Sequence, residues 1–351
     1  MVKSVAGAYD EMNPERLPEY IQFLMNADVY PHPVDEVRLL QTHISFVVLA
    51  GPFVYKWKKP VDFGFLNFST LARRRYYCGQ ELLLNRRLCP DNVYLDLVGL
   101  TCDDGVYGLG GRGRKVEYGV KMARLPEERM MNRLIRKGEV DGHDIDRIVT
   151  RLVPFYERSE SSSKVTGFGS VREVGRSVME NFKQTAPYIG QTGLDRERFD
   201  RIRDFAAGFL AHRRLFERRM AEGRIRDCHG DLHTANICLA DEVIIFDCIE
   251  FSRRLRCTDI AADVAFLAMD LDLHGLHKLS EYFIQRFMEA SGDPGLLSML
   301  GFYKCYRAYV RGKINLLTAV DPGVDPRTAG ECRERAGGCF ALAESYAGRS
   351  S

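Results

Sequence analysis

Two kinds of hydrophobic pattern divide this chain. Short runs in which apolar and polar residues alternate predict β-strands, and most of them lie in the first third of the sequence. A helix is predicted to follow the third strand, from a cap at Ser69 or Thr70 to about Leu88, and an amphipathic helix over Pro14–Ala27 precedes the strands. The predicted strands are Val37–Leu40, Ser45–Ala50, Phe53–Lys58, Tyr94–Thr101 and Lys115–Met122.

From Pro126 onward the apolar residues recur with the period of α-helices. A strand pair over Ile237–Leu239 and Val243–Phe246 interrupts the helices, and Ser161–Gly169 has the composition of a flexible linker. We therefore expect an α+β fold with a β-rich N-terminal lobe over residues 1–122 and a larger, mainly helical C-terminal lobe over residues 123–351. The predicted helices are about Glu127–Lys137, Asp144–Glu157, Val171–Tyr188, Arg196–Glu222, Asp259–Ala290, Leu296–Ala319 and a last one from Cys332.

Composition is that of a globular protein, with 45% hydrophobic and 28% charged residues. The net charge of +2 does not call for nucleic acid or an anionic membrane as a partner. No apolar run reaches the roughly 18 residues that span a bilayer, and Met1–Arg16 lacks the apolar core of a signal peptide. A cytoplasmic location is therefore expected.

The ten cysteines do not form a metal or redox motif. No two of them are separated by only two residues, as zinc ribbons and redox pairs require. Cys228, His229 and His233 are close in sequence, but no second close cysteine pair completes a set of four zinc ligands. Reduced, mostly buried thiols are the expected state.

The most informative motif is His229-Gly230-Asp231, with Asn236 five residues after the aspartate and Asp247 eleven residues further on. This spacing allows one aspartate to act as the base and two oxygen-bearing side chains to hold Mg²⁺ beside a nucleotide, as in protein-kinase-like enzymes. Asp231 is the predicted base, and Asn236 and Asp247 are the predicted magnesium ligands. Each residue alone would be read as a loop cap, but together they predict phosphoryl transfer.

Kinase-like phosphoryl transfer also needs a lysine for the phosphates. Lys56 and Lys58 lie on the same face of the predicted third strand because side chains alternate along a strand. Either lysine fits the role, and Lys56 is preferred. Lys59 points the other way and is expected to be solvated. Glu81, on the helix after this strand, is predicted to pair with the lysine and hold it toward the phosphates.

The remaining nucleotide contacts are less well defined by the sequence. The phosphate-covering loop is expected between the first two strands, where Thr42 and Ser45 offer hydroxyls but no glycine is present. Gly108–Gly113 follows the lysine and its helix, so we interpret it as a mobile hairpin turn. Backbone groups around Met122, Ala123 and Arg124 are expected to meet the adenine edge. The Walker sequence is absent, which excludes a P-loop kinase within these residues.

At these positions the sequence resembles the aminoglycoside phosphotransferase family, in particular a bacterial branch in which this lobe is often fused to a P-loop kinase domain. The resemblance covers roughly residues 20 to 320. It rests on the segments Thr42–Ser45, Tyr55–Phe63, Asn85–Leu88, His229–His233, Phe246–Phe251 and Phe302–Ala308.

The resemblance implies a bilobal protein-kinase-like fold, ATP or GTP with Mg²⁺, and phosphorylation of a small-molecule hydroxyl. By the matching motif, Asp231 corresponds to the catalytic aspartate, and Asn236 and Asp247 to the metal ligands. These 351 residues contain no P-loop domain, so a separate P-loop kinase is an expected partner. Any role that depends on two coupled active sites is correspondingly in doubt.

The acceptor is left open by the sequence. Five carboxylates follow the metal aspartate, as a polycationic aminoglycoside would need, but Arg253, Arg254 and Arg256 lie among them and would repel a polycation in the cleft. A solvated face is the preferred interpretation of the arginines, and Asp263 opens an apolar helix and is interpreted as structural. A neutral or anionic hydroxyl compound, such as a sugar or polyol, is preferred. The five carboxylates are those of Glu250, Asp259, Asp263, Asp270 and Asp272.

A second hypothesis is a nucleotide-binding regulatory or scaffold protein with a kinase-like fold and little turnover. The glycine-free phosphate loop favours it, whereas retention of all the catalytic residue types favours an active enzyme. A protein serine/threonine kinase is disfavoured because no Asp-Phe-Gly and Ala-Pro-Glu pair brackets an activation segment.

Overall fold

The computed structural model describes residues 17–348, and the chain forms two compact units. The sheet unit consists of residues 17–129 together with 244–252, and the helical unit consists of residues 130–243 together with 253–348. The chain therefore returns to the sheet unit through the short segment 244–252. Asp247 lies in this segment and therefore belongs to the sheet unit. The predicted N-terminal lobe, residues 1–122, does not contain this segment.

The sheet unit is built on one antiparallel sheet of six strands in the order β1-β2-β3-β6-β4-β5. Five of these strands match the sequence prediction. The additional strand, β5, forms in the glycine-rich connection, which therefore links two strands that flank β4 and is not a hairpin turn. The strands are β1 Val37–Gln41, β2 Ser45–Ala50, β3 Phe53–Lys58, β4 Tyr94–Asp103, β5 Val106–Leu109 and β6 Lys115–Ala123.

One face of the sheet is apolar and packs against the first helix, α1 (Glu19–Leu24). Trp57 on β3 is fully buried in this core. Its ring lies over Gly119 on β6, where a Cβ atom would come within 2.7 Å of the indole. Because Trp57 points into this core, Lys56 and Lys58 point to the opposite face of β3.

Helix α2 (Leu71–Asn85) belongs to the same unit. Thr70 caps it, as predicted, by accepting a hydrogen bond from the Arg73 amide at 3.3 Å. Arg74 on this helix forms a buried ion pair with Glu117 on β6, with the Nε–Oε1 distance at 2.8 Å. The helix thereby holds a fixed register relative to the sheet, which positions the residues of its last turns.

The helical unit contains eleven α-helices within the described residues. They are α3 Met131–Lys137, α4 Gly142–Arg158, α5 Ser163–Thr166, α6 Val171–Thr185, α7 Arg196–Leu210, α8 Arg213–Ala221, α9 Arg253–Arg256, α10 Ile260–Leu273, α11 His277–Ser291, α12 Leu297–Val320 and α13 Pro326–Gly348. Four short strands complete the unit. They are β7 Ile225–Asp227, which pairs antiparallel with β10 Cys257–Asp259, and the hairpin strands β8 Ile237–Leu239 and β9 Val243–Ile245, the last of which ends in the sheet unit.

Three helix predictions differ from the structure. The segment 196–222 forms two helices, α7 and α8, and the segment 259–290 is divided at Gly275, whose φ of +76° only glycine adopts readily. The last helix begins at Pro326, six residues before the predicted start. The predicted linker at 161–169 instead forms α5 and a short 3-10 helix, where Gly169 packs so closely on Ile225 that a Cβ atom would clash at 2.4 Å.

Within residues 17–348, no helix combines the length and apolarity that crossing a bilayer requires.

A buried arginine between two aspartates fixes the start of α10, and a partly exposed second arginine, Arg224, lies 3.7 Å from one of them, Asp293. Arg219 on α8 binds Asp259 with an Nη2–Oδ1 distance of 2.7 Å, and it binds Asp293 with an Nη1–Oδ1 distance of 2.5 Å. All three side chains are at most 2% exposed. Asp259 also caps α10 by accepting the Ala261 amide at 2.9 Å. The position of α10 therefore depends on Arg219.

We expect Arg219→Met to lower the free energy of unfolding by about 3–5 kcal/mol, because it removes the buried cation that Asp259 and Asp293 share and leaves Asp293 only the more distant Arg224. Chemical denaturation of the variant and the wild type measures the difference. The control is Arg335→Met, which removes an exposed helical pair with Glu331 and should change stability by less than about 1 kcal/mol. Equal effects of the two substitutions would contradict this role of Arg219.

Candidate active site

The loop between β7 and β8 carries the His-Gly-Asp motif in the helical unit. Gly230 has a φ of +85°, a conformation that a side chain would strain, and this turn directs the following residue, Asp231, into the interior. Asp231 is almost completely buried. A buried carboxylate needs hydrogen bonds or an opposite charge, so its neighbours indicate how the loop is used.

Helix α10 holds this loop through two carboxylates. Asp263 accepts the His229 amide at 2.7 Å and the Gly230 amide at 3.0 Å. Two helical turns further along, Asp270 accepts both the amide and the hydroxyl of Thr234, at 2.9 and 2.6 Å. The prediction that Asp263 is structural is confirmed, and its structural task is to fix the His-Gly-Asp loop.

The sequence analysis did not identify two of the residues that hold this loop, Asp270 and Arg307. Asp270 lies seven positions, or about two helical turns, after Asp263, so both carboxylates share one face of α10. Arg307 on α12 donates from Nη1 to the Gly230 carbonyl oxygen at 3.1 Å. The signal for Asp270 was present in the sequence, because a charged residue repeated at that spacing in an apolar helix must find a buried partner.

Asp231 and Asn236 lie together, as the motif predicts. Asn236 donates from Nδ2 to the Asp231 carbonyl oxygen at 3.0 Å and to the carboxylate Oδ2 at 3.3 Å. The amide nitrogen is used by these bonds, and the amide oxygen is an acceptor of the kind that binds a cation.

The surroundings of Asp231 favour its ionised form. Burial by itself would raise the pKa of Asp231, but interaction with His233, whose Nε2 lies 3.6 Å from Oδ2, and with the more distant Arg311 holds the pKa below the ordinary value. The carboxylate is therefore ionised at neutral pH. That is the state in which it can accept a proton.

Asp247 lies in the sheet unit, in the returning segment 244–252. It is a non-glycine residue with a φ of +63°, in the left-handed region. Its amide donates to the Tyr94 hydroxyl at 3.2 Å, and the next amide, that of Cys248, donates to Asn85 Oδ1 at 2.8 Å. The sheet unit therefore holds this strained turn from both sides, and such residues cluster at functional sites.

Five charged side chains of the sheet unit form one buried network, which we call the lysine network: Lys56, Lys58, Glu81, Asp247 and Glu250. Lys56 Nζ lies 2.7 Å from Glu81 Oε1 and 2.6 Å from Asp247 Oδ1. Lys58 Nζ lies 2.6 Å from Glu81 Oε2 and 2.6 Å from Glu250 Oε1. The predicted lysine–glutamate pair is therefore present, and Glu81 makes it with both lysines.

The lysine network has three carboxylates for two ammonium groups, so its formal charge is −1. Lys58 and Glu81 are fully buried, whereas the Lys56 and Asp247 side chains keep 11% and 12% of their surface exposed. The exposed edge of the network is thus the edge that combines an amine with a strained carboxylate. The Asp247 carboxylate lies at this edge, and carboxylate oxygen is a ligand that Mg²⁺ prefers.

The turn between β1 and β2 is closed on itself. Thr42 Oγ1 accepts the amides of Ile44 at 3.3 Å and Ser45 at 2.9 Å. The Ser45 hydroxyl is buried, and no hydrogen-bond partner for it occurs in the part of the chain that the structure describes. The amides of residues 44 and 45 are therefore satisfied within the turn, and they are not oriented as donors to a phosphate.

Some backbone groups of the predicted adenine contact are also used within the protein. The Ala123 amide donates to the Val93 carbonyl at 2.8 Å, and the Arg124 amide donates to the Pro52 carbonyl at 2.9 Å. Met122 is buried in the sheet unit. A nucleotide that binds along this segment must therefore use groups other than these two amides.

Two carbonyl groups of the glycine-rich segment after β5 bind a lysine. Lys115 Nζ donates to the carbonyl oxygens of Gly110 and Gly111, at 3.2 and 2.6 Å. The Gly110 amide donates to the Gly99 carbonyl at 2.7 Å. That the segment is not a phosphate cradle stays a prediction.

The cysteines do not assemble a metal centre. All ten are free, and nine of them are buried, as predicted for reduced core thiols. Over residues 17–348, no group of three or more His, Cys, Asp and Glu side chains has the arrangement of a metal site.

Comparison by sequence finds long relatives of the chain. Uncharacterized proteins of Mycobacterium bovis and Mycobacterium tuberculosis are 33% identical to it over 288 residues. The match covers 81% of this chain and 56% of each relative, so the chain spans about half the length of the curated relatives that it matches. No protein-family model matches the chain.

Comparison by structure finds kinases. A choline/ethanolamine kinase family protein of Mesorhizobium loti aligns with a TM-score of 0.50 at 13% identity, covering 91% of this chain and 93% of that one. An amicoumacin kinase in complex with AMP-PNP, Ca²⁺ and Ami aligns with a TM-score of 0.51 at 10% identity, covering 93% and 94%. A microcompartment-associated aminopropanol kinase aligns with a TM-score of 0.50 at 14% identity, covering 94% and 98%. The chain therefore has the α+β, protein-kinase-like fold of these proteins, as the motifs imply.

Proposed function

We propose that this chain is an ATP-dependent phosphotransferase that phosphorylates a hydroxyl group of a small molecule. The observation that carries the proposal is the lysine network, in which a strained aspartate, Asp247, is held against the amine of Lys56. The buried, ionised Asp231 beside Asn236 supplies the second part. The shared fold with solved small-molecule kinases supports the same reading.

Asp231 is the base in this proposal. Its carboxylate orients the acceptor hydroxyl and accepts the hydroxyl proton as the oxygen attacks the γ-phosphorus atom of ATP. The bond from this phosphorus atom to the β–γ bridging oxygen breaks, and ADP leaves with that oxygen. The loop that carries Asp231 is fixed by Asp263 and Asp270, so the carboxylate does not have to reorganise. Orientation of this kind is most of what a protein contributes to phosphoryl transfer.

Asn236 and Asp247 are the proposed ligands of Mg²⁺. The amide oxygen of Asn236 and the carboxylate of Asp247 are hard oxygen ligands of the kind that a divalent cation takes. When bound, Mg²⁺ neutralises the charge that develops on the phosphate oxygens. GTP is the alternative phosphate donor, and the nucleotide contacts of Thr42, Ser45, Met122, Ala123 and Arg124 remain predictions.

We assign the phosphate contact to Lys56 and a holding role to Lys58. The Lys58 ammonium is fully buried between two carboxylates, so it has no free direction toward a ligand. Lys56 is at the exposed edge of the network and next to Asp247. Lys58 fixes Glu81, and Glu81 in turn orients Lys56.

One observation favours the second candidate function, a nucleotide-binding regulatory protein with little turnover. The closed β1–β2 turn withholds the amides that would otherwise clamp the phosphates. A separate P-loop kinase partner also remains a prediction. Mg-ATP binding without ATP consumption, on a panel of sugars, polyols, nucleosides and aminoglycosides, would support this second function.

Asp231→Asn should lower the rate of phosphoryl transfer by about 10²–10⁴-fold, because the amide cannot accept the hydroxyl proton. ATP consumption on the acceptor panel measures the rate, and the thermal shift with Mg-ATP measures nucleotide binding, which should persist. The control is Asp241→Asn, an exposed aspartate in the β8–β9 turn. Full activity of Asp231→Asn would exclude Asp231 as the base.

Lys56→Met and Lys58→Met should change different properties, nucleotide binding in the first variant and the stability of the free protein in the second. Lys56→Met should lose most of the stabilisation by Mg-ATP, which for the wild type is about 2.7 kcal/mol at a ligand concentration 100-fold above Kd. Lys58→Met should unfold more easily even without nucleotide, by about 3–5 kcal/mol, because Glu81 and Glu250 lose a buried cation.

Thermal unfolding with and without Mg-ATP measures both effects of the lysine substitutions. The assignment would be contradicted if Lys56→Met binds Mg-ATP as the wild type does while the folded Lys58→Met variant does not. In that case Lys58 would contact the phosphate and Lys56 would hold Glu81.

A further inference from the structure

The carboxylates that a polycationic acceptor would need are occupied by the protein itself. Glu250 binds Lys58, Asp259 binds Arg219, and Asp263 and Asp270 hold the catalytic loop. Asp272, the last of the five, lies 2.5 Å from Lys304 Nζ and accepts a hydrogen bond from Tyr346. None of the five carboxylates that follow Asp231 and Asp247 therefore serves a cationic ligand without loss of a structural bond.

The three arginines after Asp247 have different surroundings. Arg256 forms a buried pair with Asp227 at 2.7 Å, and Arg253 forms an exposed pair with Glu160 at 3.3 Å. Arg254 binds Glu180 through Nη2 at 2.8 Å, but its Nη1 is buried and makes no hydrogen bond within the described residues. Of the three, only Arg254 thus keeps a buried donor for another partner.

A buried lysine contacts the same helix as Arg254, because its partner Gln184 lies one turn after Glu180, the partner of Arg254, on α6. Lys313 on α12 is 8% exposed, and its Nζ donates to the uncharged Gln184 at 2.7 Å. Within residues 17–348, no carboxylate oxygen lies within 4.0 Å of this Nζ. Burial lowers the pKa of Lys313 to about 8, with Glu180 raising it and Arg254 lowering it, so the amine is still mostly protonated at pH 7.

Charges around this cluster do not balance. Lys313 and Arg254 carry two positive charges, and Glu180 carries the one negative charge that interacts with both. The Glu180 side chain is 44% exposed, so water weakens its compensation of the buried amine. A buried cation with an uncharged partner is costly, and an anionic ligand would remove that cost.

Helix α12 connects this cluster to the catalytic loop. Arg307 on the same helix binds the Gly230 carbonyl, next to Asp231. Lys313 follows Arg307 by six residues, which is about 9 Å along the helix axis. The two side chains therefore lie fewer than two turns apart along one helix of the same unit.

We propose that Lys313 and Arg254 bind an anionic group, phosphate or carboxylate, of the acceptor whose hydroxyl is phosphorylated. The inference rests on the proposed phosphotransferase function and narrows its substrate class to anionic hydroxyl compounds. Gln184 holds the Lys313 amine in place, and Glu180 holds one edge of the Arg254 guanidinium.

Matched acceptor pairs test the proposal. The pairs are glycerol 3-phosphate against glycerol, glucose 6-phosphate against glucose and glycerate against glycerol, with an aminoglycoside as the cationic comparison. We expect at least one anionic member to be phosphorylated with a kcat/KM at least 10-fold above that of its neutral parent. The phosphate and carboxylate members separate the two anionic groups. Equal or better turnover of the neutral parents or of the aminoglycoside would overturn the proposal.

Substitutions locate the anion. Lys313→Met and Arg254→Gln should each raise KM for the preferred anionic acceptor at least 10-fold and leave KM for ATP unchanged, and Lys313→Arg should restore part of the loss. Arg253→Gln is the matched control, because Arg253 is exposed and should leave both constants unchanged. Loss of kcat with every acceptor, without a change in KM for the anion, would show a structural role and contradict the proposal.

A direct measurement of anion binding tests this inference independently of the proposed phosphotransferase activity. Calorimetric titration of glycerol 3-phosphate, glucose 6-phosphate and glycerate measures binding without turnover. Binding that Lys313→Met and Arg254→Gln weaken, with no ATP consumption on any acceptor, would support the anion site and contradict the phosphotransferase. ATP consumption on neutral acceptors, with no anion binding, would support the phosphotransferase and contradict the anion site.

Discussion

The lysine network is the interaction on which the rest of this structure depends. Moving five charged groups out of water costs several kcal/mol for each ion, and only close, multiple contacts offset that cost. Glu81 makes contacts at 2.6 and 2.7 Å with two different lysines, so one buried carboxylate joins two ion pairs into one network. This arrangement brings a segment from far along the chain, 244–252, into the sheet unit.

The strained backbone at Asp247 follows from that network. A left-handed aspartate costs on the order of 1–3 kcal/mol and persists only where its surroundings fix it. Here the amides of Asp247 and Cys248 are held by Tyr94 and Asn85, and the Asp247 carboxylate is held by Lys56. The helical unit fixes its own loop in a similar way, with two carboxylates of the apolar helix α10. In both units, buried polar bonds define one conformation of a loop that apolar packing alone would not specify.

Much of the architecture was predictable from the sequence because its signals are local. Five of six strands follow from alternation, the cap at Thr70 follows from its position, and the pairing of Glu81 with a lysine follows from a motif. Strand β5 was missed because its four residues, Val106–Leu109, are too few to show alternation beside the glycines that follow them, and its pairing with β4 is seen only in the structure. The break between α7 and α8 was missed because the helical pattern continues across it.

The parts of the candidate site that were missed depend on contacts between residues distant in sequence. Lys58 and Glu250 are separated by 192 residues, and no local pattern relates them. The occupation of Thr42 Oγ1 by the amides of its own turn requires coordinates as well. The same holds for Arg254, because three neighbouring arginines look equivalent in the sequence and have three different surroundings.

The most direct test of the central claim is a crystal structure with an ATP analogue and Mn²⁺, in which anomalous scattering locates the metal. The account predicts a manganese ion with Asp247 and Asn236 oxygens among its ligands, and a phosphate oxygen within hydrogen-bond distance of Lys56 Nζ. Nucleotide bound at another place, or metal bound without either side chain, would contradict the account.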